Sequence, residues 1–208
     1  MGVSYEIKDL GEARFILGMC IDRDPQSKDI TISQKAYSYR MLEQFNLKDC
    51  SPVSTLLPAR LTLSIDDCPI TPEKIEEMKR KPYHEALGSL MWLQVATRPD
   101  LSYTVNLLSH FVHNPGQAHW NALKHALVYV KGTVYYGVIC HANGILEPVG
   151  YVDSDFAGCK NSRQSTKENV FIVARGPISW ESKHQETVAL STVEAKYMAF
   201  SCVMTQAI

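Results

Sequence analysis

The sequence predicts an α+β fold, in which a β-hairpin and a helical region are followed by a short mixed β-sheet with one helix. Three observations carry that expectation. Residues 13–34 read as two strands around a turn, residues 72–133 hold apolar residues at helical spacing between Pro and Gly breakers, and from Gly144 onward three strand-like segments precede one last helix. The change of period near Gly144 divides the chain into an expected first domain at 1–143 and a second at 144–208.

The elements follow in order. "ARFILGMCIDRD" (13–24) is apolar and rich in β-formers, "PQSKD" (25–29) is turn chemistry and "ITISQ" (30–34) alternates, which makes a hairpin. Ser33 is a good N-cap for a helix that places Tyr37, Met41, Leu42 and Phe45 on one face. Residues 48–72 carry Pro, Ser, Thr and Asp without a sustained period, so they are expected to form a flexible surface arm. Three helices should follow. One opens with a charged turn at Pro72 and resumes after Pro82, one starts near Pro99 and stops before Pro115, and one ends at Gly132. In the last third, "ILEPVGYVDSDFAG" leads to Asp153 and Asp155, and two further strands are expected to join at Gly176–Pro177. The final helix opens at Ser191 with Glu194 three residues on, the spacing of a capping box.

Composition narrows the functional classes. The 208 residues are 45% hydrophobic and 21% charged with a formal net charge of −1, enough for a buried core and without the basic excess of a free-standing nucleic-acid binder. No apolar run approaches the length of a membrane helix and "MGVSYEIKDL" has no signal-peptide pattern, so the expected setting is intracellular, cytoplasmic or nuclear, not secreted and not membrane-bound. Six scattered cysteines without CxxC spacing point to reduced thiols. His110, His113, His119 and His125 are divided by the break at Asn114-Pro115-Gly116 and read as surface or capping histidines rather than a zinc site.

Two places carry chemistry. Asp153 and Asp155, two apart on one strand, point to one face about 7 Å apart, as a hard-metal pair for Mg²⁺ or as a solvated strand end. In the last helix, Val193, Tyr197, Phe200 and Met204 form an apolar stripe expected to face the sheet, and Lys196 lies roughly 70° to one side, within reach of a strand end.

The segments "DLGEARFILG", "ITISQKAYSYRML", "EALGSLMWLQVATRPDLSYTVNLLSHF", "LVYVKGT", "GYVDSDFAG" and "GPISWESKHQETVALSTVEAKYMA" together resemble the Pol polyprotein of copia-like LTR retrotransposons, in order and over nearly the whole chain. The resemblance implies that residues 12–33 are similar to the primer-grip hairpin of a reverse transcriptase, with Phe15, Leu17, Gly18 and Met19 meeting nucleic acid. It implies that the next helices belong to thumb and connection, and that the region from about Gly144 is the start of a ribonuclease H domain. No YVDD-like polymerase turn occurs, and "YVDSD" belongs to the first ribonuclease H strand.

By the same resemblance, the first of four Mg²⁺-binding acids is Asp153. The second, the glutamate of the family's "EAEY", is Lys196 here, and the other two lie in segments beyond Ile208. Lys167 and Glu168 in "STKEN" also depart from the family's "STSGY". An ammonium in place of a metal-facing carboxylate repels the cation, and Lys196 is left either to pair with Asp153 or Asp155 or to extend into solvent. The implied partners are a primer-template or RNA·DNA hybrid and other Pol segments. The implied function is ancestral reverse transcription and removal of RNA from hybrids, without competent catalysis by this chain alone. The alternatives are a non-catalytic nucleic-acid-binding or scaffolding module, or a genomic relic.

Overall fold

The computed structural model describes residues 11–206, so the reading of "MGVSYEIKDL" lies outside the described residues. The architecture is α+β, with two antiparallel sheets flanking a helical core. The first sheet is a four-stranded meander in the order β1 (Phe15–Ile16), β2 (Met19–Arg23), β3 (Ile30–Ser33), β4 (Gly137–Cys140). "ARFILGMCIDRD" is therefore not one strand. The chain reverses at Leu17 and Gly18, both in the left-handed region with φ of 50° and 79°, as a two-residue hairpin turn requires. The second turn follows the sequence expectation: Asp24 Oδ1 accepts from the amides of Gln26 and Ser27 and fixes the β2–β3 hairpin. Strand β4 was not expected. It pairs with β3, Ile30 opposite Cys140, across more than a hundred residues of chain.

Helix α1 (Lys35–Gln44) buries Met41 and Leu42, as its spacing predicts. Ser33 does not cap it. That residue is still in β3, and Gln34 occupies the cap position without capping the helix, its side chain bonded instead to the Thr97 hydroxyl. The breakers act where expected in α2 (Pro72–Lys79), α3 (Tyr83–Ala96), α4 (Ser102–Ser109, preceded by a 3-10 turn at Pro99–Leu101) and α5 (Gln117–Gly132). Leu87, Leu90, Leu93, Leu101, Leu108, Leu123 and Leu127 interlock as the core of these helices. The arm at 48–72 is not loose: Leu56, Leu57 and Leu61 pack against that core, Leu63 is buried, and Ser64 caps a 3-10 turn at Ile65–Asp67. Arg98, fully buried, is held by both carboxylate oxygens of Asp100 and by the carbonyl and hydroxyl of Thr133, so the burial of its charge is compensated.

The second sheet runs β5 (Val149–Ser154), β6 (Thr166–Val173), β7 (Gly176–His184), and α6 (Thr192–Gln206) lies against β5 and β6. The β6–β7 turn falls at Ala174–Arg175, two residues before the expected Gly176–Pro177, with both residues at positive φ. The sheets meet there: the His141 amide donates to the Ala174 carbonyl (2.9 Å) and the Ala174 amide to the Ile145 carbonyl (2.8 Å). Pro177 instead opposes Ile172, where the register shifts.

Candidate metal and nucleic-acid site

Asp153 sits near the end of β5, exposed, directly opposite Glu168 on β6. Helix α6 brings Lys196 alongside, with Nζ 3.8 Å from Asp153 Oδ1. Both side chains remain largely in water, 67% and 77% exposed, so the pair is weak. Asp155 does not join it. That residue lies one position past the strand end, where its carboxylate accepts the Thr166 amide and packs against Gly158, a position with no room for a Cβ. Its own amide donates to the Thr166 carbonyl (3.1 Å), which ties it to the start of β6.

Two further acids near this corner have other partners. Glu168 Oε1 accepts from the Ser182 hydroxyl at 3.0 Å. Glu194 Oε2 accepts the Leu190 amide at 2.7 Å, while the Glu194 amide donates to Ser191 Oγ at 3.1 Å. This is the expected capping box with the glutamate reaching one residue further back than the cap itself. Sequence reasoning marked Glu168 only as a departure in β6. Its position across from Asp153 follows from strand register, which the local pattern does not reveal.

The packing of α6 reverses an expectation. Val193, Tyr197, Phe200 and Met204 are exposed, and the helix instead buries Ala195, Ala199 and Val203 against the sheet. The facing sheet surface is polar: Lys167 is mostly buried there, and Asn169, 7% exposed, has neither amide atom hydrogen-bonded. A close approach of backbone to sheet suits alanine, and the bulky stripe is displaced to the outside.

The hairpin residues Phe15, Leu17, Gly18 and Met19 come together at the tip of β1–β2. Phe15 and Leu17 are 67% and 76% exposed, an apolar knob that nothing in the described residues covers. It lies apart from the Asp153 corner, on the other sheet. The four histidines do not converge either. His119 is buried and caps α5, its Nδ1 accepting the Gly116 amide at 2.8 Å, His125 Nε2 contacts the Thr55 carbonyl at 2.9 Å, and His110 stacks on His184 of β7 with ring centroids 4.1 Å apart. Among the described residues no cluster of three or more His, Cys, Asp or Glu side chains is arranged to hold a metal, and all six cysteines are unpaired. No described helix is long and apolar enough to cross a membrane.

The chain is 45% identical over 198 residues to the retrovirus-related Pol polyprotein from transposon TNT 1-94 of Nicotiana tabacum, an alignment covering 94% of this chain and 15% of that protein. It is 34% identical over 193 residues to the retrovirus-related Pol polyprotein from transposon RE2 of Arabidopsis thaliana, covering 93% of this chain and 13% of the relative. An uncharacterized mitochondrial protein of Arabidopsis thaliana is 34% identical over 198 residues, covering 95% of this chain and 78% of the relative. The chain belongs to the copia-type retrotransposon Pol family. This Pol segment spans about a seventh of the polyproteins it matches. No family profile and no solved structure matches it.

Proposed function

We propose that this Pol segment joins a reverse transcriptase to a ribonuclease H, that its ancestral work was RNA-templated DNA synthesis and hybrid cleavage, and that this chain alone does not cleave. One observation carries the reading: the Lys196 ammonium stands 3.8 Å from Asp153, the carboxylate expected to bind Mg²⁺. A cation there competes with a divalent ion for the same oxygen. The other nearby acids do not offset this, because Asp155 is turned to Thr166, Glu168 to Ser182 and Glu194 to Leu190. The donor set therefore does not fit Mg²⁺, and no metal-dependent step is assigned to the corner as it stands.

The decisive experiment moves the lysine. In an intact copia-type Pol, replacing the glutamate that aligns with Lys196 by lysine should abolish Mg²⁺-dependent cleavage of the RNA strand of a hybrid. Replacing the acid that aligns with Glu194 by glutamine should leave cleavage largely intact. The opposite result would place the metal-facing position at 194. A second reading, nucleic-acid binding without chemistry, is favoured by the exposed hairpin tip. It is tested by gel-shift of a primer-template against the wild-type chain and Leu17→Ser across a salt series: phosphate contacts weaken steeply with salt, and the tip adds a salt-insensitive part that Leu17→Ser removes.

A further inference from the structure

Beneath α6, on the side away from Asp153, Lys167 of β6 reaches across to the helix and places Nζ 2.6 Å from Cys202 Sγ. The same ammonium is 3.4 Å from Glu181 Oε2 on β7, and its side chain is only 15% exposed. Thiol, amine and carboxylate thus form a fixed triad between helix and sheet. Lys167 and Cys202 line a groove of about 640 Å³ between β7 and the second half of α6, lined also by Lys183, Met198 and Ser201. Gln185, 4% exposed, lines this groove, and its Oε1 has no hydrogen-bond partner although Nε2 donates to the Ala195 carbonyl at 2.7 Å. The groove admits a small oxidant to the thiol, and Lys167 holds an amine against the same sulfur.

We propose that Cys202 and Lys167 form a peroxide-responsive covalent cross-link that ties α6 to β6. The Cys202 sulfur attacks hydrogen peroxide and gives up its proton, the O–O bond breaks, one oxygen remains on sulfur as the sulfenic acid and the other leaves as water. Sulfur is oxidised by two electrons and the peroxide is reduced by two. Lys167, its proton released to solvent, attacks that sulfur through Nζ. The S–O bond breaks, a second water leaves, the nitrogen sheds a proton, and an S–N sulfenamide remains. The sum is one thiol, one amine and one peroxide giving one sulfenamide and two waters. Among the described residues, no other cysteine sulfur is hydrogen-bonded to a lysine.

The test treats the purified 208-residue chain with hydrogen peroxide, quenches it and maps tryptic peptides without reductant. The expected product joins the Lys167 and Cys202 peptides with a loss of about 2 Da, blocks tryptic cleavage after Lys167 and reverts with dithiothreitol. Lys167→Arg keeps the cation but should stop at the sulfenic or sulfinic acid, about 16 or 32 Da heavier on the Cys202 peptide. Cys202→Ser should show neither product. Wild-type mapping decides the matter even if a variant misfolds. Oxygenated Cys202 without the cross-link, a disulfide between two chains, or oxidation of other cysteines ahead of Cys202 would each overturn the proposal.

Discussion

The helices of residues 72–132 and the sheet–helix unit of residues 149–206 are held together by different chemistry. The first encloses an unbroken group of leucines, several with no exposed surface, and its one buried cation, Arg98, has partners on every side. The second is closed by small or polar groups: Ala195, Ala199 and Val203 from the helix, Thr166 and Asn169 from the sheet, and Ser165 just before it. Apolar burial scales with the area removed from water, so the leucine region gains far more per residue than an interface of alanines. The contrast teaches that one chain can carry a well-packed half and a sparsely packed half, and the Lys196–Asp153 pair lies in the sparse one.

The largest effect should separate the halves directly. Leu123→Ala, which empties a site with no exposed surface, should cost about 2–5 kcal/mol in denaturant unfolding, whereas Val203→Ala should cost about 1–2 kcal/mol. Native-state hydrogen exchange should show α3 and α5 protected well beyond β5, β6 and α6. Equal protection would mean that the C-terminal unit gains stability from contacts other than its own core.

A smaller effect acts within the weaker half. Asn169 keeps a buried amide without partners, a cost that an apolar residue of similar size avoids. Asn169→Leu is expected to stabilise the unit by about 1–2 kcal/mol, seen as slower exchange in β6 and α6 with α3 unchanged. A destabilised variant would show that the amide is satisfied by water in solution.

Acid should loosen the joint between the halves. Burial, and in His110 also the neighbouring His184 ring, holds both stacked histidines below their ordinary range, with Asp155 opposing the shift at His184. Their folded forms resist protonation. The unfolded chain takes up protons first as pH falls below about 6.5, so the stability they contribute is full above that pH and is lost as pH drops through their folded values. His119, buried in the helical half, is lowered for the same reason. Unfolding midpoints at pH 7 and pH 5 should therefore differ, and His110→Gln with His184→Gln should remove part of the difference while leaving the share that belongs to His119.

Legibility from sequence follows the same division. The helix boundaries at Pro72, Pro82, Pro99 and Gly132 were readable because these residues act on their own backbone. Strand β4 was not, since four residues gain strand geometry only by pairing with β3, which lies far away in the chain. The outer stripe of α6 misled for a related reason: a helical wheel ranks Tyr197 and Phe200 as the core face by size, while the tight approach to the sheet selects the alanines. At the site, the family motif and the wheel placed 196 near the strand end, and the structure sets Lys196 beside Asp153. The contacts of Asp155 with Thr166 and of Lys167 with Cys202 depend on loop path and inter-element packing and leave no periodic trace.

The smallest predicted effect concerns Lys196 and Asp153 themselves. Two charges 3.8 Å apart but mostly hydrated gain little from each other, because water screens them and two long side chains lose freedom in holding one geometry. A double-mutant cycle with Lys196→Met and Asp153→Asn should give a coupling below about 1 kcal/mol that disappears near 1 M salt, where screening acts over only about 3 Å. Lys196→Glu should then reverse the sign, since it sets a second carboxylate beside Asp153, and added Mg²⁺ should raise the stability of that variant while leaving the wild type unmoved. That comparison separates an ion pair that merely decorates the surface from one that stands at a former metal position. A Mg²⁺ response in both proteins, or in neither, would remove the metal-facing assignment of residue 196 even though the distance to Asp153 stays short.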